Sequence, residues 1–102
     1  FFEGDVDTVA AHEVLPGLER TLAARQAERP QGSYTVELLD DAGLAGAKVE
    51  EEAEEVVRAA REETDDRVDN EAADLLYHLL VLIRSRGRTL QDVVAVLQGR
   101  RG

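Results

Sequence analysis

The chain has 102 residues, with 22 Asp and Glu against 12 Lys and Arg, which gives a formal net charge of −10. This length fits one domain, and the acidic surplus argues against binding to nucleic acids or anionic membranes, because both need a basic surface. No Cys is present, which excludes a disulfide scaffold, a thiolate zinc site and a Cys nucleophile, so the surplus carboxylates point to a cation.

The amino end begins Phe1-Phe2-Glu3-Gly4, without an initiator Met and without the basic and apolar segments of a signal peptide. No apolar run reaches the roughly 20 residues of a membrane-spanning helix, and the lack of Cys is compatible with a reducing compartment, so a cytoplasmic location is expected. We interpret residues 1–12 as a linker or the tail of a preceding domain, 13–98 as one helical domain and 99–102 as a flexible end. Ordinary processing is the alternative explanation of the start.

The first half of the domain is predicted to be helical, because few residues alternate at period two and only two prolines occur. A first helix is expected over residues 13–28, with Pro16 in its first turn, where the missing N–H has no cost. A break at residues 29–32 follows. Ser33 is then the expected N-cap of a short helix that stops at Gly43.

Two long helices are predicted next, over residues 44–63 and 66–85. Apolar residues recur at helical spacing on the third helix, at Val49, Ala53, Val56, Val57 and Ala60. The fourth helix has a broader apolar face, formed by Val68, Ala72, Leu75, Leu76, Leu79, Leu82 and Ile83. Leu80 and Val81 widen this face, which predicts contacts with more than one neighbouring helix.

The carboxyl-terminal part is predicted to hold one more helix. Gly87 ends the fourth helix, and Thr89 with Asp92 three residues later indicates a capping box. The apolar stripe of this last helix is Leu90, Val93, Val94 and Leu97. The expected fold is therefore all-α, a helical bundle built on two long antiparallel helices. Because the chain is short, we expect a second copy to complete the bundle as a homodimer.

The third helix carries an acidic run whose members are not equivalent. At about 100° per residue, one third of the helix surface holds Lys48, Glu51, Glu52 and Glu55. Glu50 and Glu54 point elsewhere, toward solvent. Clustered like charges repel by about a few tenths of a kcal/mol per pair, and by more when partly buried, so a compensating group is expected.

The fourth helix supplies a matching acidic pair, Glu71 and Asp74, beside its apolar face. If the two long helices pack antiparallel, both acidic sets approach one groove, where they need a cation. Mg²⁺ is the expected ion, because it prefers hard oxygen ligands and retains waters. Magnesium held by a few carboxylates serves substrate phosphates, which indicates phosphate-ester or anhydride chemistry. A solvated charged surface is the alternative.

The acidic spacing also resembles a known signature. Glu51-Glu52-x-x-Glu55, followed after fifteen residues by Glu71-x-x-Asp74, is similar to the EExxE…ExxD pattern of the all-α nucleotide pyrophosphohydrolases. Gly32-Ser33-Tyr34-Thr35 and the string from Glu71 to Leu80 resemble more closely the phosphoribosyl-ATP pyrophosphohydrolases of histidine biosynthesis. The resemblance covers about residues 15–97. One departure is Glu50, where the family more often has Gly.

The resemblance implies Mg²⁺-dependent hydrolysis of phosphoribosyl-ATP to phosphoribosyl-AMP and pyrophosphate. It implies a set of metal ligands made of Glu51, Glu52, Glu55, Glu71 and Asp74. Within this set, Glu52 and Glu71 are the expected catalytic residues, with Glu71 as ligand or general base.

Other polar residues have two interpretations each. Lys48 is expected to bind a substrate phosphate, or else to pair with Glu52 one turn away. Ser33 and Tyr34 are expected to line the phosphoribosyl end, although an N-cap is the simpler role for Ser33. His78 is either a general base or, the preferred interpretation, a hydrogen-bonded histidine at the helix seam.

The resemblance also implies a partner, and two competing functions stay open. In many bacteria this domain follows a phosphoribosyl-AMP cyclohydrolase domain in one bifunctional protein, and Phe1-Phe2 would suit that junction. One alternative function is a house-cleaning pyrophosphohydrolase that acts on non-standard nucleoside triphosphates. The other is a non-catalytic helical dimerisation module.

Overall fold

A computed structural model describes residues 10–100, which fold as helices without a strand in this range. A short 3-10 helix, Ala11–Glu13, leads into α1 (Val14–Glu28), α2 (Tyr34–Asp40), α3 (Ala42–Glu62), α4 (Asp65–Ser85) and α5 (Leu90–Gly99). The predicted all-α class is confirmed. Most of the predicted linker, and residues 101–102 of the predicted flexible end, lie outside the described residues. No helix in the described range is long and apolar enough to cross a membrane.

Local capping explains where most helices begin. The Ser33 hydroxyl accepts the Val36 N–H at 3.3 Å, which confirms the predicted N-cap of α2. The Thr89 hydroxyl accepts the Asp92 N–H, and the Asp92 carboxylate accepts the Thr89 N–H at 2.9 Å, which is the predicted capping box of α5. Gly87 follows α4 with a φ of 80°, the left-handed conformation that favours glycine.

The predicted stop at Gly43 is wrong. The second helix ends at Asp40, and Asp41 already caps α3 by accepting the Leu44 N–H at 3.0 Å. Gly43 therefore lies in the first turn of α3, which begins at Ala42. Asp is a strong N-cap. Because Asp41 starts α3 before Gly43, the glycine is an ordinary residue of that helix.

The core lies where α1 and α2 cover the carboxyl-terminal half of α4. Its buried members are Leu18, Leu22, Leu38, Ala45, Tyr77, Leu80 and Val81. The two long helices α3 and α4 pack along each other as a hairpin, and α4 also contacts α1 and α2. Contact of the fourth helix with more than one neighbour is thus confirmed.

The predicted apolar faces are partly wrong. On α3, Val57 and Ala60 are exposed, and the buried positions are Ala45, Glu52 and Ala59. On α4, Leu76 and Leu79 are 45% and 38% exposed, whereas Glu71, Tyr77 and His78 are buried. On α5, Val93 and Leu97 of the predicted stripe are exposed too. For α3 and α4 the physical reason is that Glu52, Glu71 and His78 occupy the seam between them, so an apolar strip turns outward.

Candidate active site

The α3–α4 seam brings the predicted acidic residues to different depths. Glu52 and Glu71 are buried, at 9% and 6% exposure. Glu55 and Asp74 are half-buried beside them, whereas Glu51 is exposed. Glu50 and Glu54 are exposed, as predicted. The seam therefore separates two deep carboxylates from a shallower rim.

Glu52 meets a histidine of the facing helix. Its Oε1 lies 2.5 Å from Nδ1 of His78. The same Nδ1 lies 3.0 Å from the Asp74 carbonyl oxygen, and Nε2 lies 2.9 Å from the Tyr34 hydroxyl. With two acceptors beside Nδ1, this nitrogen is assigned the proton, and Nε2 is assigned as the acceptor of the Tyr34 O–H. The preferred interpretation of His78 as a hydrogen-bonded seam histidine is confirmed.

Burial shifts the ionisation of the groups around this histidine. Desolvation raises the pKa of Glu52; the His78 ring opposes this rise, and the charges of Asp74 and Glu55 reinforce it. Burial also raises the pKa of Tyr34, with Glu52 as the next cause. A hydroxyl with a raised pKa stays protonated, which suits its role as a donor to His78.

A second pair lies further toward the loop between the long helices. A hydrogen bond with Glu71 raises the pKa of Glu55, and burial and the Glu71 charge add to this rise. Arg67 neutralises the pair in part, because its Nη2 lies 3.0 Å from Glu71 Oε1 while its Nε donates to Glu63 at 3.1 Å. Two carboxyl groups in such contact hold a proton between them or need a positive charge.

The donor set fits a hard divalent cation. Within residues 10–100, no three His, Asp or Glu side chains already stand in an arrangement that would hold a metal ion. Still, Glu52 Oε1 is buried, with His78 Nδ1 at 2.5 Å, and the charges of Asp74 and Glu55 act on the same carboxylate. Carboxylates that repel one another in this way gain from a cation between them. Carboxylates of this kind are the ligands that Mg²⁺ takes.

Lys48 does not make the predicted ion pair. Its Nζ lies 3.8 Å from Glu51 Oε2, three residues away, so the expected pairing with Glu52 is wrong. The reason is depth: Glu52 is turned into the seam toward His78, while Lys48 and Glu51 remain at the rim. The loose contact leaves the ammonium group beside the acidic residues.

A groove of about 620 Å³ adjoins the seam on the side of α1 and α2. Its lining includes Arg25, Ser33, Tyr34, Thr35, Tyr77 and His78. Tyr34 and Tyr77 stack, with ring centroids 6.4 Å apart, and the Thr35 and Tyr77 hydroxyls lie 2.6 Å apart. Tyr34 and His78 belong both to this groove and to the contacts of Glu52, so the groove and the acidic seam form one continuous site.

Comparison with known proteins agrees with this arrangement. The family model described as phosphoribosyl-ATP pyrophosphohydrolase matches residues 15–101. The chain belongs to this family.

Several curated relatives of this family are similar over most of the chain. The phosphoribosyl-ATP pyrophosphatase of Rhodopirellula baltica is 45% identical over 92 residues, which cover 86% of this chain and 77% of that protein. The protein of the same name from Caulobacter vibrioides is 43% identical over 90 residues, 88% of this chain and 84% of its own length. The histidine biosynthesis bifunctional protein HisIE of Bacillus subtilis is 47% identical over 88 residues, 85% of this chain and 42% of that protein. The chain thus spans less than half the length of such bifunctional relatives.

Sequence reasoning missed three residues of the site in this family member. Arg67 contacts Glu71 at i+4 spacing, a pattern that could have revealed the pair. Tyr77 and Arg25 line the groove, but they come from separate helices whose approach no local pattern shows. The acidic residues of the seam can therefore be predicted from the sequence, whereas the groove cannot.

Proposed function

We propose that this chain hydrolyses phosphoribosyl-ATP to phosphoribosyl-AMP and pyrophosphate in histidine biosynthesis, in a Mg²⁺-dependent reaction. One observation carries the proposal: in a chain of the phosphoribosyl-ATP pyrophosphohydrolase family, the acidic residues of the family signature line a seam beside a groove. Glu52 and Glu71 are its buried members. Because these carboxylates are negatively charged, the seam attracts a polyphosphate only when a cation is bound between them.

The acidic side chains have separate roles in this proposal. Magnesium, when bound, would neutralise phosphate oxygens and make the phosphorus that water attacks more electrophilic. The residues that would hold it are Glu51, Glu52, Glu55 and Asp74. Glu71 is a further ligand or the group that accepts the proton of the attacking water. The contact with Glu55, whose pKa is raised first by a hydrogen bond with Glu71, supports the second role, because two adjoining carboxyl groups can take up a proton together.

The groove is the proposed place for the remainder of the substrate. Tyr34 presents an aromatic ring there, and Ser33 lies beside it at the start of α2. Arg25 supplies a positive charge to the lining of the groove. Lys48, loosely paired at the rim, is placed to contact the polyphosphate.

A homodimer is part of the proposal. Val57 on α3 and Leu76 and Leu79 on α4 are between 38% and 50% exposed. A second copy that covers this strip would bury it, as a short helical chain requires. The relatives named as bifunctional further support a protein in which a phosphoribosyl-AMP cyclohydrolase domain precedes this one. We place the reaction in the cytoplasm.

The decisive experiment measures pyrophosphate release from phosphoribosyl-ATP with and without Mg²⁺. We expect release only with Mg²⁺, and a loss of about 100-fold or more in Glu52→Gln. Glu50→Gln is the matched control, because it removes an adjacent but exposed carboxylate, and it should keep wild-type turnover. A panel of non-standard nucleoside triphosphates covers the competing function. Faster turnover of any of these than of phosphoribosyl-ATP would contradict the proposal.

A further inference from the structure

Tyr34 and His78 connect the groove with the deepest carboxylate of the seam. We propose that these two side chains are positioning residues, which hold the Glu52 carboxylate in the place where it binds the divalent cation. The inference rests on the metal-dependent function proposed above. It assigns to Tyr34 a role through His78, in addition to the expected contact with the substrate.

The His78 ring is fixed at both nitrogens. Nδ1–H lies 2.5 Å from Glu52 Oε1 and 3.0 Å from the Asp74 carbonyl oxygen, both of which can accept it, and Nε2 accepts from the Tyr34 hydroxyl at 2.9 Å. Edge-to-face contacts with Tyr34 and Tyr77, at centroid distances of 5.9 and 4.9 Å, hold the ring plane. With both nitrogens bound and two aromatic rings against it, the His78 ring cannot rotate without losing these contacts.

The fixed ring determines where Glu52 can be. Nδ1 lies 2.5 Å from Glu52 Oε1, so the carboxylate cannot move deeper between the helices. The charges of Asp74 and Glu55 repel Glu52. The histidine therefore holds the carboxylate against this repulsion and close to the acids that share the cation. Partners of this kind around metal ligands orient them and raise metal affinity.

The pair also anchors α2 to α4 at the site. Tyr34 is the first residue of α2, and its hydroxyl reaches across to the middle of α4. The neighbouring pair, Thr35 and Tyr77, crosses between the same two helices at 2.6 Å, but no contact of Thr35 with Glu52 or His78 is found in the described part. The chain thus offers a matched control, in which an equivalent hydrogen bond is removed without touching Glu52 or His78.

The test measures binding of Mn²⁺, as a probe for Mg²⁺, to the metal-free full chain by electron paramagnetic resonance of the free ion. We expect His78→Leu to weaken binding by about 10- to 100-fold. Tyr34→Phe, which removes only the hydroxyl of a half-exposed side chain, should weaken it by less. Thr35→Val should bind Mn²⁺ as wild type does. Circular dichroism confirms that each variant is folded.

A double variant separates positioning from general packing. In a His78→Leu background, Tyr34→Phe should have no further effect on Mn²⁺ affinity, because the hydroxyl has lost its acceptor. If Tyr34→Phe left the Mn²⁺ affinity unchanged, or if Thr35→Val lowered it as much as Tyr34→Phe does, the inference would be overturned. The proposed function would stay intact. A wild-type chain that binds no Mn²⁺ would overturn the metal-dependent function, and the positioning role with it.

Discussion

Glu19 on α1 and Arg84 near the end of α4 form a buried ion pair, with Glu19 Oε2 accepting from Arg84 Nη2 at 3.0 Å. The two side chains are only 11% and 13% exposed. The same oxygen accepts the N–H of Leu90 at 2.9 Å, at the first residue of α5. One carboxylate therefore connects three helices, α1, α4 and α5.

Loss of this carboxylate should destabilise the whole domain. We expect Glu19→Leu to lower the free energy of unfolding by about 3 kcal/mol, because Arg84 is left as an uncompensated buried charge. Urea denaturation followed by circular dichroism measures the change. Glu28→Leu, at an exposed position of the same helix, is the control and should change stability little. A similar small effect at both positions would show that the pair does not hold α5.

Replacing either of two glycines in open surroundings by alanine should change the stability, in opposite directions at the two positions. Gly87 has a φ of 80°, whereas Gly46 lies inside α3, and a Cβ at either position would meet no atom within 4 Å. Gly87→Ala should therefore cost about 1 kcal/mol from backbone strain alone. Gly46→Ala should stabilise by about 0.5–1 kcal/mol, since alanine favours helix. Thermal unfolding of both variants checks this; a Tm shift of the same sign in both would contradict the backbone argument.

The helix boundaries were largely predictable because capping is local. Ser33 and the Thr89–Asp92 pair make their capping contacts within one turn, so the sequence spacing alone predicts these contacts. Gly43 misled the prediction, because the competing cap at Asp41 acts on the same few residues and prevails.

The inward faces of the long helices were not predictable to the same degree. Leu79 fits an apolar stripe, yet it is exposed, and His78 is buried beside it. The burial of His78 depends on Tyr34 and Glu52, which are 44 and 26 residues away in the chain. These two residues approach His78 only after α2 and α3 have packed. The acidic signature thus revealed the ligand candidates, whereas their partners depend on tertiary packing.

Arg67 should compete with the cation for Glu71. Its guanidinium lies 3.0 Å from Glu71, so removing the charge should free the carboxylate. We expect Arg67→Gln to tighten Mn²⁺ binding by about twofold, the effect of a weak helical ion pair. Arg58→Gln, which breaks an exposed pair with Glu54 at 3.6 Å, is the control. Weaker binding in Arg67→Gln alone would instead indicate that Arg67 holds Glu71 in place.

The metal-free protein should become more stable on mild acidification. The pKa values of Glu52 and Glu55 are raised above the ordinary 4.5, first by burial for Glu52 and first by the hydrogen bond with Glu71 for Glu55. Between 4.5 and the raised values, the folded state binds more protons than the unfolded state, so stability falls as pH rises through this range. Unfolding free energies measured across pH 4 to 8 should show this slope. Mg²⁺ should reduce it, because the cation stabilises the ionised carboxylates. Glu52→Gln should also reduce the slope, whereas Glu50→Gln should leave it unchanged. A slope of the opposite sign in the metal-free wild type would show that ionisation of the seam acids does not destabilise the folded state.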